Sequence, residues 1–179
     1  MYEINCGDSF LRIIQGDITE QDTDAIVNAA NKRLAPGGGV AGAIHSAAGV
    51  KLWEECKKLG GCETGDAVIT RGYNLPAKWV VHTVGPVYRG REEDLELLAL
   101  SYENSLKIAE KESIKTISFP AISTGAFGYP MREAAKIAVK TVCKTLTSLS
   151  KVKMVQFVLY DFNTYKIFEE VLKEVENDD

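Results

Sequence analysis

Two segments concentrate the residue types that could grip a charged ligand. Asn28-Ala29-Ala30-Asn31, then Pro36-Gly37-Gly38-Gly39-Val40-Ala41-Gly42, leaves an apolar run and enters a helical pattern. The consecutive glycines remove every Cβ from that turn, so the backbone can adopt positive φ and a ligand can approach it closely. At the N-terminus of a helix such a turn favours a phosphate or diphosphate. Ser123-Thr124-Gly125-Ala126-Phe127-Gly128-Tyr129 likewise follows an apolar run and precedes a helical pattern near Pro130. It offers small side chains and exposed amides, with Phe127 placed to pack either on a ligand or into the core. Gly16-Asp17-Ile18-Thr19 is a third such turn. Asp17 has two readings of equal standing there: a helix cap, or a carboxylate that accepts a hydrogen bond from the exocyclic amine of a base.

Other chemistries lose ground. Neither glycine segment is a Gly-x4-Gly-Lys-Ser/Thr phosphate loop, and no Gly-x-Gly-x-x-Gly follows the first strand pattern. That disfavours nucleoside-triphosphate hydrolysis and hydride transfer. With two histidines in all, and with Cys56 and Cys62 at a spacing that matches no common zinc motif, no metal or cofactor is expected. The four scattered cysteines, Cys6, Cys56, Cys62 and Cys143, read as reduced, partly buried thiols. His45 falls one turn into the helix after the glycines and His82 inside an apolar strand, so both read as packing residues. The chain carries 21 Lys and Arg against 25 Asp and Glu, a formal charge of −4. Without a dense basic cluster no general nucleic-acid binding is expected. An anionic ligand must then be held by helix N-termini and main-chain amides.

The elements that would position these turns follow from periodicity. Strands are expected at Tyr2–Cys6, Phe10–Gln15, Ala25–Asn28, Ala67–Thr70, Trp79–Val84, Thr116–Phe119 and Lys153–Tyr160. Helices are expected at Gly42–Ala48, Val50–Lys58, Glu93–Lys111, Met131–Leu149 and Thr164–Val175, the long ones with one apolar stripe. Strands interleaved with helices argue an α/β sandwich, and a hairpin of the first two strands makes its sheet mixed. Ligands of such sheets bind outside the carboxyl ends of the strands, where all three turns fall.

At 179 residues, 45% hydrophobic and 26% charged, the expectation is one domain spanning 1–179, with an acidic tail at Glu174–Asp179 that frays. No apolar stretch is long enough to span a bilayer and no signal peptide is visible, so a cytoplasmic protein with no membrane partner is expected; a monomer is expected, although no residue pattern speaks to oligomeric state.

Taken together, the motifs resemble the macro domain family over nearly the whole chain. They are Gly-Asp-Ile-Thr at 16–19, Val-Asn-Ala-Ala-Asn at 27–31, Gly-Gly-Gly-Val at 37–40 and His45 with Ala47-Ala48-Gly49. Further on come His82-Thr83-Val84-Gly85-Pro86, Phe119-Pro120-Ala121-Ile122-Ser123-Thr124-Gly125 and Gly128-Tyr129-Pro130. Each is weak alone, but their common order is specific. The nearest resemblance is to the bacterial O-acetyl-ADP-ribose deacetylase and mono-ADP-ribosyl hydrolase branch. It implies a three-layer α/β/α sandwich with a mixed, mainly parallel sheet, and ADP-ribose or ADP-ribosylated proteins and metabolites as partners.

By the same resemblance, Asp17 would meet the adenine amine and the Ile18 amide would lie near the ring, with Tyr160 rather than Phe162 stacking on adenine. Asn31 would bond the distal ribose. Gly38, Gly39 and Val40, continuing into Ala41 and Gly42, would line the diphosphate and distal ribose from one side. Ser123, Thr124, Gly125, Ala126 and Phe127 would close from the other. The family branch usually carries Asp where this chain has Ala41, a position credited with handling the attacking water. Asn31 and position 41 are therefore the catalytic candidates. The implied activity is hydrolysis of ADP-ribosyl esters; the alternatives are a reader module with little turnover, and a phosphatase acting on ADP-ribose 1″-phosphate.

Overall fold

Central parallel strands are covered on both faces and need apolar residues at nearly every position. Ala25–Ala29 and Met154–Leu159 meet that requirement, whereas the edge segments alternate. The computed structural model describes residues 1–178. Its strands are β1 (Tyr2–Cys6), β2 (Ser9–Gln15), β3 (Ala25–Ala29), β4 (Ala67–Arg71), β5 (Trp79–Thr83), β6 (Thr116–Phe119) and β7 (Met154–Leu159). Its helices are α1 (Gly39–Ala48), α2 (Val50–Leu59), α3 (Glu92–Lys111), α4 (Met131–Leu146) and α5 (Phe162–Asn177). The strands form one 7-stranded sheet in the order β1-β2-β7-β6-β3-β5-β4. Pairings from β2 through β5 are parallel, and the edges β1 and β4 are antiparallel to their neighbours.

The period of two divides the core into two layers. Val27, Val81, Ile117, Val155 and Phe157 join Leu98, Tyr102, Leu106, Val139 and Phe168 of α3, α4 and α5 in one cluster. On the other face Ile26, Val80 and Val158 join Ile44, Leu52 and Cys56 of α1 and α2. This is the expected α/β/α sandwich.

Gln156, which interrupts the apolar run of β7, is buried in a polar ladder on the α1/α2 side. Arg12 Nε donates to Gln156 Oε1 (3.0 Å), while Gln156 Nε2 donates to Ser118 Oγ (2.8 Å) and Gln21 Oε1 (3.0 Å). Gln21 Nε2 donates in turn to the Asp17 carbonyl (2.9 Å). The ladder thus ties the β2 turn to the sheet.

Two expectations are corrected. Cys6 and Cys143 are not free thiols: they form a disulfide between β1 and α4, 137 residues apart in sequence with Cα atoms 5.2 Å apart. Only the packing of α4 over the β1 edge brings them together, so their spacing carried no signal; Cys56 and Cys62 are free and buried. The acidic segment from Glu174 is continuous with α5 to Asn177; there Glu174 pairs with Arg132 and Lys136, and Glu176 accepts from the Tyr2 hydroxyl (2.9 Å). Asp179 lies outside the described residues. Finally, α4 stops at Leu146, where the Thr147 and Ser148 hydroxyls cap the carbonyls of Lys144 and Thr145. No helix among the described residues is long and apolar enough to cross a membrane.

Candidate functional site

The turn from β3 into α1 is built on Asn31. Its Oδ1 accepts from the amides of Arg33 (3.1 Å) and Ala35 (3.0 Å), and its Nδ2 donates to the Ala35 carbonyl (2.9 Å). Both lone pairs of the amide oxygen are thereby used, and one Nδ2 hydrogen remains for another acceptor. Gly39 opens α1 at φ +56°, a conformation that suits glycine. Gly42 serves packing: a Cβ there would collide with the Gly37 carbonyl. The first amides of a helix have no partner within it. Among the described residues, those of Gly38, Gly39, Val40 and Ala41 find no acceptor elsewhere in the chain either.

The loop from β6 to α4 has the complementary property. Its carbonyls are turned into the protein: Ala121 accepts from Thr124 Oγ1 (2.8 Å), Ser123 from the Tyr129 amide (2.9 Å), Gly125 from the Gly128 amide (3.0 Å) and Phe127 from the Tyr88 amide (2.8 Å). The amides of Ser123 through Phe127 have no acceptor among the described residues. Carbonyls bonded inward and amides left over make a nest for an anion. Ser123 adopts φ +68°, a sharp turn at the start of this row of amides.

The two loops face one another across a cleft of about 340 Å³. Asn31, Gly38, Gly39, Val40, Ala41, Ser123, Gly125, Ala126 and Phe127 all line it. Phe127 is half-buried in the cleft wall rather than in the core. The other sequence candidates are not in its wall. Gly42 lies behind the turn, and Thr124 spends its hydroxyl on Ala121. Asp17 and Ile18 follow β2, and Tyr160 follows β7, the neighbouring strand; the Gly16 amide donates to the Leu159 carbonyl (2.9 Å). Tyr160 is 81% exposed, an open aromatic face just past the end of β7. The Asp17 cap is real: Oδ1 accepts from the amide (2.9 Å) and hydroxyl (2.7 Å) of Thr19, which leaves Oδ2 for a ligand.

Gly85 was missed as a site residue, though its motif was noticed. It lines the cleft, and a Cβ on it would collide with Ser123 Oγ and Ile122 Cγ2. A glycine just past a buried parallel strand was the available signal. Ala29, Ala30, Gly37, Ala121 and Ile122 complete the wall. Surface depressions elsewhere reach about 420 and 360 Å³; Lys107 and Lys111 edge the first and Lys140, Lys144 and Asp178 the second, and neither includes a residue of the two amide-bearing loops.

No wall residue is titratable; Asn31 and Ser123 are its only polar side chains. Beneath the wall, His82 Nδ1 bonds Asn28 Nδ2 (3.1 Å) and Nε2 bonds Thr70 Oγ1 (2.9 Å). Burial holds the His82 pKa down to about 3, with His45 a lesser cause. Burial also lowers the pKa of His45, whose ring lies 6.5 Å from both His82 and Trp53. Both rings are neutral packing residues at pH 7. Among the described residues no group of His, Cys, Asp and Glu is arranged to hold a metal. Only main-chain dipoles and two neutral polar side chains are thus available in this cleft to meet a charge.

A family model described as Macro domain matches residues 27–138, a span containing both amide-bearing loops. An O-acetyl-ADP-ribose deacetylase of Salmonella newport (strain SL254) is 50% identical over 175 residues, covering 95% of this chain and 98% of that protein. The macrodomain of Oceanobacillus iheyensis solved with ADP has a TM-score of 0.95 at 40% identity, covering 99% of this chain and 97% of that one. The Trypanosoma brucei macrodomain in complex with ADP-ribose has a TM-score of 0.85 at 40% identity, covering 90% and 68%. The family model, the curated relative and the solved structures agree: the chain belongs to the Macro domain family.

Proposed function

We propose that the protein binds ADP-ribose and hydrolyses its esters, namely O-acetyl-ADP-ribose and mono-ADP-ribosylated Asp or Glu side chains. The observation that carries this reading is the pair of opposed amide rows without acceptors, spaced by one cleft and free of cationic side chains. A diphosphate would accept from both rows. That leaves one ribose beside Asn31, Ala41 and Phe127, and the adenosine towards Asp17 and Tyr160. The names and ligands of the related proteins support ADP-ribose as the nucleotide.

The proposed chemistry suits a wall without acids or bases. A protein-linked ester breaks at the anomeric carbon through an oxocarbenium-like transition state. Its leaving group is a carboxylate, which departs near neutral pH without being protonated. For this substrate water needs positioning more than activation, and fixed amides can supply it while the remaining Asn31 hydrogen holds the ribose. Deacetylation is instead attack of water on the ester carbonyl: the acyl C–O bond breaks, acetate forms, and the ribose oxygen leaves with a proton given up by that water. Protein linkages to Arg or Ser, which break at the anomeric carbon and whose leaving groups require a proton there, should resist.

The test is incubation with glutamate-linked and arginine-linked mono-ADP-ribosylated proteins. Release of ADP-ribose above the background rate from the first alone is expected. Binding of ADP-ribose with no release from either would favour a reader module, the reading suggested by the bare methyl of Ala41 in the wall. Ala41→Asp separates the two further. A reader that has lost its carboxylate should gain turnover by an order of magnitude or more, about the scale of general acid–base catalysis.

A further inference from the structure

The amide nest after β6 is held from behind by a side chain that never reaches the cleft. Tyr102 sits in the middle of α3 and is 1% exposed. Its ring is fixed by Phe119 (centroids 5.2 Å) and Phe157 (5.9 Å). This locks the position of the hydroxyl, which accepts from the Ile122 amide (3.0 Å) and donates to the Pro120 carbonyl (3.4 Å). The bonds span Pro120-Ala121-Ile122, where the chain leaves the sheet and turns into the nest. Gly85 packs close to Ile122 as well, since a Cβ on Gly85 would collide with the Ile122 Cγ2. The next residue is Ser123, whose positive φ a non-glycine residue adopts only at a cost. A strained residue keeps its conformation only when its surroundings over-determine it.

We propose that Tyr102 is a positioning residue for the anion-binding loop: through Ile122 its buried hydroxyl sets the direction in which the Ser123–Phe127 amides point. The inference rests on the diphosphate reading of that loop. It assigns Tyr102 a part in ligand affinity beyond its packing, although the residue touches no ligand.

Tyr102→Phe removes the hydroxyl and keeps the ring, leaving the Ile122 amide buried without an acceptor. The expected result, by calorimetry with ADP-ribose, is a Kd raised about three- to tenfold, the range for a single hydrogen bond. The same variant should shift the amide resonances of Ser123–Phe127 in the unliganded protein. Ile13→Val in β2, remote from the loop, controls for lost stability: it should lower the Tm and leave the Kd unchanged. A Tyr102→Phe protein with lowered Tm but wild-type Kd and unmoved loop resonances would overturn the proposal.

Should the variant not fold, hydrogen exchange on the wild-type protein decides. The Ile122 amide should be protected while those of Ser123–Phe127 exchange fast; equal exchange refutes the anchor. If wild-type protein does not bind ADP-ribose, the functional reading fails by itself. The resonances and exchange rates still test whether Tyr102 orients the loop.

Discussion

At the residue scale the candidate site works by subtraction. The wall has no base, no acid and no cation, so each polar group left in it has a definite capacity. Asn31 spends both lone pairs and one hydrogen on its own turn, and the other hydrogen is what it can offer a ribose. Asn31→Ala should therefore cut turnover on glutamate-linked substrate by about tenfold or more while raising Kd less, the pattern of lost positioning. Equal losses in kcat and affinity would mean that the turn itself had collapsed. His82 yields a prediction in pH. Its pKa falls from the ordinary 6.5 to about 3 on folding, so between those values the unfolded chain takes up a proton that the folded protein refuses. The contribution of neutral His82 is complete above pH 6.5 and drains away as the solution is acidified towards pH 3, with a limiting slope of about 1.4 kcal/mol per pH unit. Urea midpoints should fall more steeply over this range for wild type than for His82→Gln.

At the element scale, loops carry the proposed chemistry and strands fix their spacing. The β3 and β6 loops face each other because β3 and β6 are neighbours in the sheet, paired in parallel. The β5 loop reaches them through Gly85 and the Tyr88 amide. A side chain at Gly125 would meet nothing within 4 Å, because that position opens onto the cleft. Gly125→Val should thus fold normally, with an unchanged Tm, and weaken ADP-ribose by about tenfold or more through obstruction of the diphosphate. An unaltered Kd would remove this loop from the binding site. All the strands and helices were legible within a few residues, since buried parallel strands read as apolar runs and surface helices as stripes. Less legible was which loop residues face inward. Gly42 and Gly39 look alike in sequence, but one fits against the Gly37 carbonyl and the other opens the amide row.

At the scale of the whole molecule, the Cys6–Cys143 disulfide closes 137 residues and ties the sheet's first edge to a helix on the α3/α4/α5 face. Cross-linking so long a loop restricts the unfolded chain, and removing such a bond costs about 2–5 kcal/mol. Cys143→Ser should lower stability by that order in denaturant titrations and leave ADP-ribose affinity alone, since β1 and α4 do not contribute to the cleft wall. A matching loss of affinity would mean that the sheet edge and the cleft are coupled.

The sequence by itself determined the alternation of strands and helices, the two glycine-bearing turns and the family they belong to. These rest on local periodicity and on motifs, which survive without knowledge of distant contacts. Only the tertiary structure decided which amides remain without acceptors, that Gly85 and Tyr102 hold the β6 loop from two sides, and that two cysteines at opposite ends of the chain meet. Each depends on groups far apart in sequence competing for the same hydrogen bond or the same volume, and no spacing along the chain records that competition.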